Sequence, residues 1–272
     1  MHLPAASAMQ DVGQIASHNT NTNSDWISHL DHVNAVELDV WPLDNWTVSH
    51  NFDVNAGHLD GYMSDLAKWR KKHTNHDLIT VFLEIKSKEG WRVDDFESIL
   101  LRHFRRTNLF SPMDLVKWGR RNQSTARTLR ELVEDKGWPA FSEVKNQVMF
   151  VVNNDGDHVV NTYLAERPLV KGRSWSGVRD RKSWPLCFVM SSRDDARTGC
   201  ENIVIFNDVY DGWPTPPDPS DNKCLRRAYE VKSGNDEMAK HGQTEPARRL
   251  MKDKGINYLC YDQVENAFWT PL

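Results

Sequence analysis

Two carboxylates stand two residues apart in the run Val36–Glu37–Leu38–Asp39–Val40–Trp41. The run is short and mostly apolar, with polar segments on either side, so it reads as a buried strand with Glu37 and Asp39 on one face. Two like charges side by side in a core are costly unless a cation or a shared proton offsets them. Glu84, closing the apolar run Thr80–Ile85, is a third carboxylate, and Asn19 adds a neutral oxygen donor. A donor set made only of oxygen suits a hard cation, and Ca2+ tolerates irregular geometry better than Mg2+. Three carboxylates around a divalent ion leave one net negative charge, which Lys86, two residues after Glu84, is placed to offset. His18 and His50 sit at comparable ends of apolar runs. A pair of histidines beside a metal suits phosphodiester cleavage, one taking a proton from the attacking oxygen and the other protonating the leaving oxygen.

Placing these groups together requires several strands that end at one face. Strands are expected over Gly13–Ser17, the Glu37/Asp39 run, Leu78–Ile85, Val148–Val152, Leu186–Met190, Ile203–Phe206 and Ile256–Tyr261, with a weaker one over Arg226–Val231. Trp46, Val48 and His50 alternate as an extended segment. Helical spacing appears in Trp26–Val33 behind Ser24, in Leu59–Trp69 and in Val159–Leu164, and Glu245–Lys254 begins near Pro246. Asp94 with Glu97, and Thr128 with Glu131, have the spacing of capping boxes. Residues 107–127 show no regular pattern, and Gly212–Ser220 is too proline-rich for any. Up to eight strands, most followed by helical segments, fit a distorted (β/α)8 barrel of TIM type better than an open sheet. Neither GxGxxG nor a Walker loop is present, which argues against a nucleotide fold. In a barrel the chemistry gathers at the C-terminal strand ends, where all seven candidate residues would lie.

A chain of 272 residues with net charge −4 suits one domain and gives no electrostatic case for nucleic acid. Residues 1–11 are expected to be a leader or disordered tail and 12–272 a single barrel domain. Ala6–Ser7–Ala8 has the small residues of a signal-peptide cleavage site, which favours secretion. None of the cysteines at 187, 200, 224 and 260 forms a CxxC pair, so a zinc site is not expected, while two disulfides and buried thiols both stay open. Trp175 and Trp184 in a basic loop, and Trp213 beside the proline-rich stretch, are candidates for contact with an anionic lipid surface.

The order His18–Asn19, Glu37-x-Asp39, Trp46-x-Val48-x-His50 and Leu83–Glu84-x-Lys86 resembles the phosphatidylinositol-specific phospholipase C superfamily, most of all its calcium-dependent, single-domain secreted members. The resemblance covers residues 13–90 and thereafter rests on strand spacing. It implies that His18 and His50 are catalytic and that Asn19, Glu37, Asp39 and Glu84 bind calcium. Lys86 becomes a phosphate or active-site cation. The implied reaction is attack by the inositol 2-hydroxyl on the neighbouring phosphorus, giving diacylglycerol and an inositol cyclic phosphate, on a phospholipid at a membrane surface and by an expected monomer. The chain departs from the family at Asn21, where an aromatic or aliphatic residue is usual. A glycerophosphodiester phosphodiesterase or related phospholipase D shares the barrel and the Glu-x-Asp idea, but its first strand ends in His–Arg–Gly rather than His18–Asn19–Thr20. A lipid-binding module without activity is the alternative of another class.

Overall fold

A computed structural model describes residues 7–18, 20–22, 26–53, 56–153, 158–169, 184–192, 201–209, 223–229 and 255–261. The strands are β1 (Gln14–Ser17), β2 (Ala35–Trp41), β3 (Thr47–Val48), β4 (Ile79–Ile85), β5 (Val148–Asn153), β6 (Phe188–Ser192), β7 (Ile205–Val209), β8 (Leu225–Tyr229) and β9 (Tyr258–Tyr261). β1 pairs in parallel with both β2 and β9, and this double pairing closes eight parallel strands into a barrel of the (β/α)8 TIM type. β3 is the exception, a short antiparallel strip along β2. The described helices are α1 (Leu59–Lys72), α2 (Val93–His103), α3 (Pro112–Arg121), α4 (Leu129–Lys136) and α5 (His158–Glu166).

The outward face of β2 and β4, which the helices cover, is apolar: Val36, Leu38, Val40, Val81, Leu83 and Ile85 are buried. The other set of side chains on β2 and β4 turns into the lumen. Thr80 Oγ1 lies 3.1 Å from the Tyr258 hydroxyl of β9, and Phe82 meets the Tyr258 ring edge-on at 5.1 Å. Neither strand neighbours the other in the sheet, so these contacts span the barrel. Up β4 the lumen changes from hydroxyl (Thr80) to aromatic (Phe82) to carboxylate (Glu84), with Glu84 in register with Asp39 of β2. The polar top layer is therefore set by one period-2 pattern on two adjacent strands.

Several local expectations are corrected. Residues 112–121, expected to be irregular, form α3. Pro112 opens it at the one position where a missing N–H costs nothing, and Ser111 donates from both N–H and hydroxyl to Asp114 Oδ2. Gly119 is a packing residue, since a Cβ there would stand 2.2 Å from Leu132 Cδ1 of α4. Glu97 caps nothing. α2 starts after Arg92 without a side-chain cap, and Glu97 turns inward to accept from the Tyr163 hydroxyl at 2.7 Å, Arg167 Nε at 2.9 Å and the Leu186 N–H at 3.2 Å. The Thr128 cap of α4 holds as expected, its hydroxyl accepting from the Glu131 N–H at 3.1 Å. Trp26–Asp31 is a 3-10 helix, not an α-helix; Ser24, Gly212–Ser220 and Glu245–Lys254 lie outside the described residues. Cys187, Cys224 and Cys260 are buried thiols, so two disulfides do not form; Cys200 lies outside the described residues. Residues 8–11 pack on the 138–140 segment, where Met9 N–H reaches the Pro139 carbonyl and Gln10 Oε1 accepts from the Trp138 N–H. No helix among the described residues is long and apolar enough to cross a membrane.

Candidate active site

Six of the seven residues singled out in the sequence meet at the C-terminal end of the barrel; the seventh, Asn19, lies outside the described residues. Oxygens of Glu37, Asp39 and Glu84 lie within 4.8 Å of one another. Asp39 and Glu37 are fully buried, 0% and 1% exposed. Lys86 Nζ stands 2.7 Å from Glu84 Oε1 and 3.3 Å from Asp39 Oδ1. The lysine thus lies at the cluster, where its charge offsets part of the carboxylates' mutual repulsion.

Each histidine is paired with a different carboxylate. His50 Nδ1 is 2.9 Å from Asp39 Oδ2. An ionised carboxylate only accepts, so Nδ1 carries a proton in this pair, which in a neutral ring leaves Nε2 as the nitrogen with the lone pair. The His50 side chain is 54% exposed. His18 Nε2 is 3.1 Å from Glu37 Oε2 and is nearly buried.

His50 is delivered by a strained turn. Asp44, Asn45 and Trp46 all have positive φ, a conformation rare for a residue as bulky as tryptophan. Trp46 is held there by its neighbours: its ring lies 5.7 Å from Trp91 and 5.6 Å from Phe96, and its carbonyl accepts from the Leu59 N–H at 2.8 Å. The expected extended segment over Trp46–His50 is therefore reduced to β3, after which Ser49 N–H clips to the Asp39 carbonyl at 3.1 Å and its own carbonyl accepts from Trp41 Nε1 at 3.0 Å.

Two site residues escaped the sequence reading. Arg227 of β8 reaches across the lumen to Glu37 Oε1, with Nη1 3.3 Å from Asn207 Oδ1, and its guanidinium sits 4.8 Å from the Phe82 ring centre. Its only local signal is a basic residue inside the run Cys224–Ala228. Asn21 grips Asp39 from the other side: its Oδ1 accepts the Asp39 N–H at 3.3 Å and its Nδ2 donates to Asp39 Oδ2 at 3.4 Å.

These partners split the carboxylates electrostatically. Burial pushes the Glu37 carboxyl up, but Arg227 above all, helped by His18 and Lys86, holds it below the usual carboxylate range. Burial pushes Glu84 up as well, and there, with the charges on Glu37 and Asp39, it prevails over the pull of Lys86 and carries the carboxyl to about 8. Glu37 Oε2 and Asp39 Oδ1 are buried and make no hydrogen bond. These two oxygens have ion-pair neighbours, His18 Nε2 at 3.1 Å and Lys86 Nζ at 3.3 Å; buried carboxylate oxygens that make no hydrogen bond and converge in an all-oxygen set fit a hard divalent cation.

Trp184, a candidate for lipid contact, is half-buried against the core, and Lys117 Nζ covers its ring at 5.2 Å. Trp175 and Trp213 lie outside the described residues. Among the described residues, the exposed aromatic near His50 is Phe52, 43% exposed and resting edge-on against Trp41 at 5.6 Å.

A family model described as phosphoinositide phospholipase C, Ca2+-dependent, matches residues 47–203, more than half of the chain and inclusive of His50, Glu84 and Lys86. Among solved structures, a calcium-dependent phosphoinositol-specific phospholipase C from a Pseudomonas species superposes with a TM-score of 0.75 at 20% identity, over 97% of this chain and 93% of that one. Its myoinositol complex gives 0.74 at 19%, over 96% and 92%. The Ca2+-dependent phosphatidylinositol-specific enzyme of Streptomyces antibioticus gives 0.73 at 15%, over 96% of each chain. At such identities the likeness is one of fold. Comparison with curated protein sequences gives no match.

Proposed function

This chain belongs to the Ca2+-dependent phosphoinositide phospholipase C family and is a phosphodiesterase of that type, and from that premise we propose that it cleaves phosphatidylinositol, or a glycan-anchored analogue, to diacylglycerol and an inositol cyclic phosphate. The observation that carries this reading is the double pairing of His18 with Glu37 and His50 with Asp39 around one carboxylate cluster. Asn19, Glu37, Asp39 and Glu84 would hold the cation, with Ca2+ favoured over Mg2+ because the set is irregular. When bound, the ion supplies Lewis-acid stabilisation of charge on the hydroxyl and phosphate oxygens. The histidines supply the proton transfers. One removes the proton of the inositol 2-hydroxyl and the other protonates the glycerol oxygen as it leaves. The nucleophile belongs to the bound substrate, so attack on the adjacent phosphorus is intramolecular and needs orientation rather than capture of a second reactant. Lys86 is close enough to the cluster to take a phosphate oxygen.

Phosphorus NMR on phosphatidylinositol tests this directly, with an inositol cyclic phosphate expected as the first new signal. A 2-deoxy-inositol lipid, lacking the internal nucleophile, should inhibit without being cleaved. Turnover of that analogue at a normal rate, or preference for glycerophosphocholine, would replace this reading with the glycerophosphodiesterase one.

The substrate lies in a membrane, and Phe52 stands two residues from His50 with its ring outward, so we place the lipid contact at the mouth. Phe52→Ala is expected to weaken co-sedimentation with phosphatidylinositol vesicles several-fold, since interfacial aromatics favour the headgroup boundary. Equal sedimentation of variant and wild type would remove Phe52 from that role. A secreted, monomeric enzyme with one domain over residues 12–272 completes the proposal.

A further inference from the structure

We propose that Asn21 is a positioning residue. Its amide fixes the rotation of the Asp39 carboxylate, committing Oδ2 to His50 and leaving Oδ1 on the side of the carboxylate cluster. This rests on the functional reading above, which makes His50 a proton-transfer group. A carboxylate rotates about its last bond, and an imidazole held by one of its oxygens turns with it. Asp39 Oδ2 accepts from His50 Nδ1 at 2.9 Å, so any swing of Asp39 displaces the exposed Nε2 that must meet the substrate. Asn21 opposes that swing at two points, accepting the backbone N–H of Asp39 and donating to Oδ2. One planar group supplies donor and acceptor together. Leucine at this position supplies neither, and aspartate supplies only the acceptor while adding a negative charge beside Asp39.

Asn21 is itself held in place. It is 6% exposed, the Tyr62 hydroxyl of α1 donates to its carbonyl at 3.2 Å, and the adjacent Thr20 hydroxyl donates to the Glu37 carbonyl. The turn Thr20–Thr22 is thus clasped to β2 beside both carboxylates. Asp39 Oδ1 makes no hydrogen bond and lies 3.3 Å from the same Lys86 Nζ that holds Glu84. The two oxygens of Asp39 are therefore assigned to different tasks, and Asn21 makes the assignment. An aromatic or aliphatic side chain at this position has no amide and could not supply donor and acceptor together.

The test uses the full chain with Asn21→Leu, Asn21→Asp and, as reference, His50→Ala. Turnover on phosphatidylinositol and the nitrogen-15 shifts of the His50 ring are both measured. Outer partners of this kind typically contribute about 10–100-fold, so Asn21→Leu is expected to lower kcat by about that factor with KM changed by no more than about twofold. The His50 ring should move from a single Nδ1–H tautomer toward a mixture. Asn21→Asp, which keeps the acceptor, should lose at least as much turnover, showing that the donor to Oδ2 matters. A lower melting temperature with unchanged kcat and an unchanged tautomer would leave Asn21 a merely structural residue. If Asn21→Leu does not fold, the same readouts on Asn21→Asp decide. Normal turnover in His50→Ala would instead remove the catalytic reading, while the tautomer shift in Asn21→Leu would still report whether Asn21 positions the ring.

Discussion

His50→Ala and His18→Ala each lose about 10²–10⁴-fold in turnover, the range for a positioned acid or base, while calorimetric Ca2+ binding changes little. Neither ring is among the oxygen donors, so the metal site survives either truncation. The two variants should differ in stability. The His50 ring is half in solvent and leaves no cavity, whereas His18 is nearly buried against Glu37 and its loss removes the imidazole partner of a buried carboxylate. His50→Ala is therefore the cleaner measurement, with near-wild-type melting and a catalytic defect. Residues acting as a coupled pair are not additive, and the double variant should lose little more than the worse single one. Normal turnover in His50→Ala would move the acid to a water or to Lys86.

What was readable from the sequence were the parts of the site that a strand encodes locally. Glu37-x-Asp39 and Glu84-x-Lys86 are period-2 patterns inside apolar runs, and a parallel barrel turns each into an inward-facing pair without further information. Arg227 was not readable. Its partner Glu37 is 190 residues away, and only the closure of β1 onto both β2 and β9 brings the two across the lumen. Locally, an arginine in a short strand means an exposed edge as readily as a buried ion pair. Glu97 misled for a related reason: its spacing from Asp94 matches a cap, but the burial of Tyr163 and Arg167 beside it decides its direction. Residues 107–127 showed no regular pattern in sequence, yet Pro112 starts α3 and Gly119 lets α4 approach it. Asn21 stood out only as a departure, and its use became visible once Asp39 was seen with one oxygen on His50 and one facing the cluster.

Adding Ca2+ at pH 7 is expected to release close to one proton from the protein. Glu84 is raised to about 8 by burial and by the charges on Glu37 and Asp39, so at pH 7 most molecules without metal carry a proton there, while a carboxylate must be ionised to bind a cation. Calorimetry in buffers of different ionisation enthalpy reads that proton, and the apparent affinity should rise with pH up to about 8 and level off above it. The same shift sets stability. A carboxyl whose pKa is higher in the folded chain than in the unfolded one contributes stability that is full below the unfolded value, near 4.5, and is lost as pH rises through about 8. In chelator the protein should therefore weaken between about pH 5 and 8, by an amount of order a few kcal/mol, and saturating Ca2+ should reverse that trend. Glu84→Gln imitates the protonated acid. It should flatten the stability profile in chelator, abolish the proton release and weaken Ca2+ binding together, because one side chain underlies all three. A wild-type protein that binds Ca2+ without releasing a proton would mean that Lys86, at 2.7 Å, keeps Glu84 ionised, and that the three carboxylates share their charge without a proton's help.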